Sequence, residues 1–182
     1  MFKIPKGVRV MVLRIPFALI VATTILRVSS GVSLVGGTLI TVVAILICIQ
    51  SSMDIRDRQL HRPTTLLATV VVTVTIVAAV VVRGTWRDLI VAVALTLIVT
   101  GVFALLNRLS PRSLGFGDVL LVIPLSLALG YVAPDQIAQW QLVASCSGAI
   151  HALVLRLRGG RGSIPFGPHL MGAAWLVLLI SV

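Results

Sequence analysis

The chain has 182 residues, of which 58% are hydrophobic and only 11% are charged, so it is not predicted to be a water-soluble domain. A soluble domain usually carries about 25% charged residues. The net charge of +10 does not indicate nucleic acid, because the basic residues fall in short connections between apolar runs and not on one helical face. Cys48 and Cys146 stand far apart without a CxxC pair, so neither a disulfide framework nor a structural zinc site is predicted.

Seven apolar stretches predict an all-α protein, a polytopic membrane bundle of about seven transmembrane helices. Crossing a hydrocarbon core of about 30 Å takes roughly 20 residues of helix, so such spans fill a chain of this length. No small-residue cleavage site follows the basic N-terminal segment and its apolar run, so we expect the first stretch to remain as a helix. The predicted spans cover residues 8–28, 31–53, 64–82, 89–106, 119–133, 137–155 and 170–182, of which the fifth and seventh are short.

The basic residues also predict an orientation in the bilayer, because cytoplasmic loops of membrane proteins are rich in Lys and Arg. With the N-terminus in the cytoplasm, twelve of the fifteen basic residues lie on the cytoplasmic side. Only Arg27, Arg83 and Arg87 lie outside. An odd number of helices then places the C-terminus outside.

The chain has only five acidic residues, and all five are aspartates. Because they are so few, the position of each is informative. Asp88 and Asp135 fall in short outer connections, where a solvated or helix-capping role is expected. Asp54, Asp57 and Asp118 fall on the cytoplasmic side. Asp54 directly follows one apolar run and Asp118 directly precedes another, so each is predicted to lie at the membrane boundary on the same face.

Two carboxylates at such a boundary indicate acid–base chemistry. A carboxylate within a span costs roughly 2.5–3.5 kcal/mol at the centre and less near the interface, so it is usually retained for function. When two carboxylates are close, they share a proton, and one acts as acid and the other as base. That arrangement suits peptide hydrolysis by an activated water and needs no metal, cofactor or nucleophilic side chain.

The second of these carboxylates ends the motif Gly115-Phe116-Gly117-Asp118. Glycine permits backbone conformations that are closed to other residues, so we expect the two glycines to adopt them and to let a substrate strand approach closely. Irregular backbone at membrane depth is tolerated where it is buried in protein or lines a water-filled cavity. We therefore expect a water-accessible cavity on the cytoplasmic side.

Three segments, taken in order, resemble the signatures of the type IV prepilin peptidases. They are Asp54-Ile55-Arg56-Asp57-Arg58-Gln59-Leu60 at a helix end, Gly115-Phe116-Gly117-Asp118 before a later helix, and Ile164-Pro165-Phe166-Gly167-Pro168 before the last helix. The resemblance covers residues 31–182, which form a six-helix core. Residues 1–30, a basic segment with one extra helix, are predicted to be an addition to that core.

The resemblance implies an aspartyl endopeptidase that removes the short basic leader of prepilins or pseudopilins. Its catalytic pair is Asp54 and Asp118, and the reaction takes place at the cytoplasmic face of a bacterial cell membrane. The CxxC-bearing region of the members that also methylate the new N-terminus has no counterpart here, so cleavage without methylation is expected. The residues expected to support the site are Gly115, Gly117, Pro165, Gly167 and Pro168.

The sequence departs from the family pattern at two places. Leu120 stands where the family usually has a Lys, and His61-Arg62 precede Pro63 where Pro-Asn usually follows the first motif. The departure at Leu120 favours the alternative of a non-catalytic membrane subunit that still binds pilin-like helices. A transporter is a further alternative, because membrane carboxylates can relay protons.

Other interpretations compete for single residues. Asp54 could pair with Arg58 one helical turn away, and Asp118 could cap the next helix. Asp57, flanked by arginines, is expected to form a solvated ion pair.

Two further patterns have their own interpretations. Ser147 and His151 are four residues apart on one helix face, which would suit a serine peptidase. The segment Gly159-Gly160-Arg161-Gly162 lacks the Lys-Ser/Thr ending of a phosphate-binding loop and is interpreted as a flexible connection. Its glycines are expected to let residues 164–168 dock near the catalytic pair, while Pro165 and Pro168 prevent that stretch from continuing a helix.

Overall fold

The computed structural model describes residues 33–57, 62–109, 115–159 and 166–181, with only the backbone described at 50–57. These ranges contain six α-helices and no strand, which confirms the predicted all-α fold. The predicted first span, residues 8–28, lies outside them. The helices are α1 Leu34–Asp57, α2 Arg62–Arg83, α3 Trp86–Leu109, α4 Phe116–Val132, α5 Ile137–Leu157 and α6 Gly167–Ser181, and a 3-10 turn, Pro134–Gln136, leads into α5.

Three of these helical segments are long and apolar enough to cross a membrane: Arg62–Arg83, Trp86–Leu109 and Pro134–Leu157. The apolar parts of the other three are shorter, at Leu34–Ile49, Phe116–Val132 and Gly167–Ser181. Six of the seven predicted spans therefore correspond to helices. Their boundaries differ by a few residues, and the largest difference is that α1 continues to Asp57, four residues past the predicted end.

Helix α4 forms the centre of the bundle. It contacts α2, α3 and α6, and its residues Leu121, Val122, Leu125 and Leu129 are fully buried. Helix α1 packs on α2 and α6, while α5 packs mainly on α6. Large apolar side chains on α2, α3 and α5 point outward, which is the pattern of a bundle surrounded by lipid and not by water.

Small residues let α3 and α4 approach closely. A Cβ placed on Gly130 of α4 would lie 3.0 Å from the Cα of Ala92 and 3.3 Å from its carbonyl oxygen on α3. Membrane helices pack by van der Waals contact and not by the hydrophobic effect, so such small residues allow backbone-to-backbone packing. The contact between α3 and α4 is extensive as a result.

The bundle has two ends that are distinguished by their contacts. At one end, the Arg62 guanidinium lies 5.9 Å from the ring centroid of Phe116, which joins the starts of α2 and α4. We call this the motif end; α1, α3 and α5 finish there and α2, α4 and α6 begin there. At the opposite end, the Thr85 hydroxyl lies 3.4 Å from that of Tyr131, and the Ser181 hydroxyl donates to Gln136 Oε1 at 2.8 Å.

The described charged side chains divide between these two ends. The motif end carries four exposed arginines, and the opposite end carries two arginines together with two aspartates. Asp88 lies in the first turn of α3, where a negative charge is favourable, and Asp135 lies in the 3-10 turn. The arginines of the motif end are Arg62, Arg108, Arg156 and Arg158, and those of the opposite end are Arg83 and Arg87.

Candidate active site

Asp118 lies in the first turn of α4 at the motif end. Phe116 begins the helix and Gly115 occupies the N-cap position, so Asp118 is the third helical residue. The Asp118 backbone N–H donates to the Gly115 carbonyl oxygen at 3.0 Å. Asp118 is therefore not the N-cap residue that one interpretation of the sequence required. A carboxylate in the first turn interacts favourably with the helix dipole.

Neither Gly115 nor Gly117 has an unusual backbone conformation. Gly115 has φ −73° and ψ 144°, an extended conformation that any residue adopts, and Gly117 is helical. The expectation of a glycine-specific conformation is therefore wrong at both positions. A Cβ on Gly115 would lie 3.5 Å from Asp118 Oδ2, so the carboxylate lies beside the position that has no side chain. Asp118 is half-buried, and Gly115 beside it is exposed.

Asp54 lies in the last turns of α1, three residues before its end at Asp57. Helix α1 packs along α2, which begins beside the start of α4 through the contact of Arg62 with Phe116. The backbone therefore places both predicted catalytic residues at the motif end. The side chains of Asp54 and Asp57 lie outside the described residues, so the direct pairing of Asp54 with Asp118 stays a prediction.

The third signature enters α6 at the same end. The Phe166 carbonyl oxygen accepts the N–H groups of His169 at 3.0 Å and Leu170 at 3.2 Å. Gly167 is buried and begins α6, with Pro168 directly after it. Pro168 lies in the first turn of α6, which has no use for a backbone N–H and tolerates proline. Ile164 and Pro165 lie outside the described residues.

The ring of Phe166 packs between α3 and α5. It stacks on Phe103, with 6.4 Å between centroids. Its Cε2 would lie only 2.9 Å from a Cβ on Gly148, so this glycine is what leaves room for the ring. Nothing in the sequence indicated that Gly148 serves the third signature, because the two are far apart along the chain.

Ser147 and His151 are not bonded to each other; both contact His169, which the sequence analysis did not single out. His169 Nδ1 lies 3.1 Å from Ser147 Oγ, and His169 Nε2 lies 3.0 Å from His151 Nδ1. The Ser147 hydroxyl donates to the Ala144 carbonyl oxygen at 3.0 Å. The predicted pairing of Ser147 with His151 is therefore replaced by contacts of both residues with His169.

Together, the six described helices and the apolar outer faces define a multi-pass membrane protein of the all-α bundle class. The sequence profile of the type IV leader peptidase family matches residues 38–153, more than half of the chain. The chain belongs to this family. Comparison with curated proteins and with solved structures found no match.

The family match and the third signature cover different parts of the chain. The matched region contains both Asp54 and the Gly115–Asp118 motif. Residues 164–168 lie beyond it. The evidence that the third signature belongs to the site is therefore the packing of Phe166, and not the family match.

Proposed function

We propose that the chain is a membrane-embedded aspartyl endopeptidase that uses Asp54 and Asp118 to remove the basic leader of a prepilin-like or pseudopilin-like protein. The membership of the type IV leader peptidase family supports leader cleavage in general. The choice of Asp54 and Asp118 is supported by the position of Asp118, which is half-buried beside Gly115 in the first turn of α4. Helix α1, which contains Asp54, ends at the same end of the bundle.

The proposed reaction is hydrolysis by a water held between two carboxylates. Two carboxylates in one site share a proton, because ionising both at close range is costly. The ionised one takes a proton from the water as it attacks the scissile carbonyl, and the protonated one donates to the carbonyl oxygen.

The proposed substrate has a basic leader that stays in the cytoplasm and an apolar helix that lies in the bilayer. A cytoplasmic motif end agrees with the arginines there, because cytoplasmic loops are enriched in basic residues. The negative charge of the dyad attracts the leader over the last few ångströms. The exposed ring of Phe116, at the start of α4, offers an apolar contact where the substrate helix would leave the membrane.

The test is cleavage of a co-expressed type IV pilin-like precursor by wild type and by two single variants, Asp54→Asn and Asp118→Asn. We expect both variants to lose detectable cleavage while reaching the wild-type abundance in the membrane. Asp57→Asn, three residues from Asp54 on α1, is the matched control and should keep cleaving. A second control, Asp88→Asn at the opposite end, should also keep cleaving.

The outcomes separate the candidate functions. Cleavage of a leader that is confined to the cytoplasm would also place the motif end on that side. If wild type cleaves no candidate precursor but is co-purified with one, the chain is a non-catalytic subunit, as the Leu120 departure would allow. If Asp57→Asn loses activity while Asp54→Asn keeps it, Asp57 is the first catalytic residue.

A further inference from the structure

Two histidines hydrogen-bond to each other where α6 begins on α5. His151 is exposed on α5, and the half-buried His169 lies in the first turn of α6. His151 Nδ1 and His169 Nε2 are 3.0 Å apart, and the two rings meet edge to face at 60°. The other ring nitrogen of His169, Nδ1, lies 3.1 Å from Ser147 Oγ, which is also on α5. Both ring nitrogens of His169 therefore bind the first turn of α6 to α5.

The ring of Phe166 packs beside this contact. The centroids of the Phe166 and His169 rings are 6.5 Å apart. A Cβ on Gly148 would lie 2.9 Å from Phe166 Cε2 and 3.9 Å from His169 Cδ2, so both rings lie over this glycine of α5. Phe166 also stacks on Phe103 of α3. The contact of His169 with α5 therefore helps to set where the third signature packs between α3 and α5.

The hydrogen bond between the two histidines depends on how many protons the pair carries. One of the two facing nitrogens must carry a proton and the other must offer a lone pair, whichever ring is the donor. The neutral pair and the pair with one added proton both meet this condition. When both rings are protonated, neither facing nitrogen has a lone pair, and two positive charges meet at a short distance. Acid pH therefore breaks the contact, and neutral pH preserves it.

The charged and titratable groups around the pair leave the two histidines as each other's partner. The helices that pack on α6 are α1, α4 and α5, and α3 contacts Phe166. Among the described residues, no other titratable side chain on these helices forms an ion pair or a hydrogen bond with either histidine. Asp54 and Asp57 are near the end of α1, and their side chains lie outside the described residues. The other titratable or charged side chains described on these helices are Cys48 on α1, Asp88 and Arg87 and Arg108 on α3, Asp118 and Tyr131 on α4, and Cys146, Arg156 and Arg158 on or directly after α5.

We propose that His151 and His169 are positioning residues of the proposed peptidase, which hold the start of α6 on α5 until both rings are protonated. This inference rests on the proposed function, because the third signature is expected to dock near the catalytic aspartates. The second proton binds below about pH 6.5, the ordinary pKa of histidine, and separates the two rings. The unfolded chain accepts both protons without this repulsion, so the stabilising contact is present above that pH and is lost as the pH falls.

The first test follows the ring nitrogens of the three histidines by NMR, in the full chain with isotope-labelled histidine, purified in detergent without a histidine tag. Wild type should bind protons at His151 and His169 in two separate steps. In His151→Gln the charge of the partner is removed, so His169 should titrate in one step, at a higher pH than the second step of wild type. His61→Gln, the control, should leave both steps unchanged. Independent titration of His151 and His169 would overturn the proposal.

The second test compares leader cleavage at about pH 5 and about pH 7.5, below and above the ordinary histidine pKa. Each rate is expressed relative to that of the same protein at the higher pH. His151→Gln is the reference, because it has the same aspartates and their titration cancels in the comparison. Wild type and His61→Gln should lose at least about threefold more activity at the lower pH than His151→Gln loses. Equal losses in all three proteins would overturn the positioning role.

A third measurement separates this inference from the proposed function, because it needs no substrate. Between the same two pH values, the unfolding equilibrium constant of wild type in mixed micelles should rise at least about fivefold more than that of His151→Gln. Equal rises would overturn the proposal even if leader cleavage is confirmed. If wild type cleaves no precursor, the peptidase function fails, and the NMR titration and the unfolding equilibrium decide whether the histidine contact is pH-dependent.

Discussion

Gly130 on α4 faces the backbone of α3, so replacing it with alanine measures the free-energy cost of pushing these helices apart. The new Cβ would lie 3.0 Å from the Ala92 Cα and 3.3 Å from its carbonyl oxygen. Comfortable carbon–carbon contacts are about 3.5–4.0 Å, so the backbones must separate by a few tenths of an ångström or more. The neighbour is backbone and cannot rotate away. Overpacking of this kind costs about 1–3 kcal/mol.

Two other helical glycines provide matched controls. A Cβ on Gly101 of α3 or on Gly172 of α6 would meet no atom within 4 Å. Replacing a helical glycine with alanine also gains up to about 1 kcal/mol of helix propensity, but that gain is common to all three variants and cancels in the comparison. We therefore expect Gly130→Ala to be less stable than Gly101→Ala and Gly172→Ala by about 1–3 kcal/mol.

The assay is the reversible loss of helix signal in mixed micelles as the fraction of denaturing detergent rises. All three variants are measured against wild type at the same protein concentration. Gly101→Ala and Gly172→Ala should be neutral or slightly stabilising. The reasoning is refuted if Gly130→Ala is as stable as the two controls, because the α3–α4 contact would then absorb a methyl group without cost.

Two more predictions concern how the start of α6 is held. Trp140→Phe should lower stability by about 1–3 kcal/mol, because the buried indole N–H donates to the Leu170 carbonyl oxygen at 2.9 Å. The exposed Trp86 is its control, and an equal loss in Trp86→Phe would contradict the assignment. Gly148→Ala should displace the Phe166 ring and reduce leader cleavage by about tenfold or more, because small misplacements near a site are costly. Unchanged cleavage by a folded Gly148→Ala protein would show that Phe166 does not contribute to the site.

The sequence alone determined the all-α membrane class, because the spacing of apolar runs and the clustering of arginines are properties of the linear chain. It also placed Asp118 at the start of a helix and Asp54 near the end of another, and the helices α1 and α4 confirm this. Their direct pairing stays a prediction. Helix ends were less well predicted, since the polar residues after Met53 continue α1 although they would not lie in lipid.

Only the tertiary structure decided which distant residues meet. Gly148 and Phe166 are separated by eighteen residues, and nothing in the local pattern of either predicts that one makes room for the other. The contact of His151 with His169 likewise depends on the crossing of α5 and α6. Apolar periodicity specifies that a helix is buried in lipid or protein. Which helix faces pair depends on close packing between helices, and a single sequence contains no direct record of that pairing.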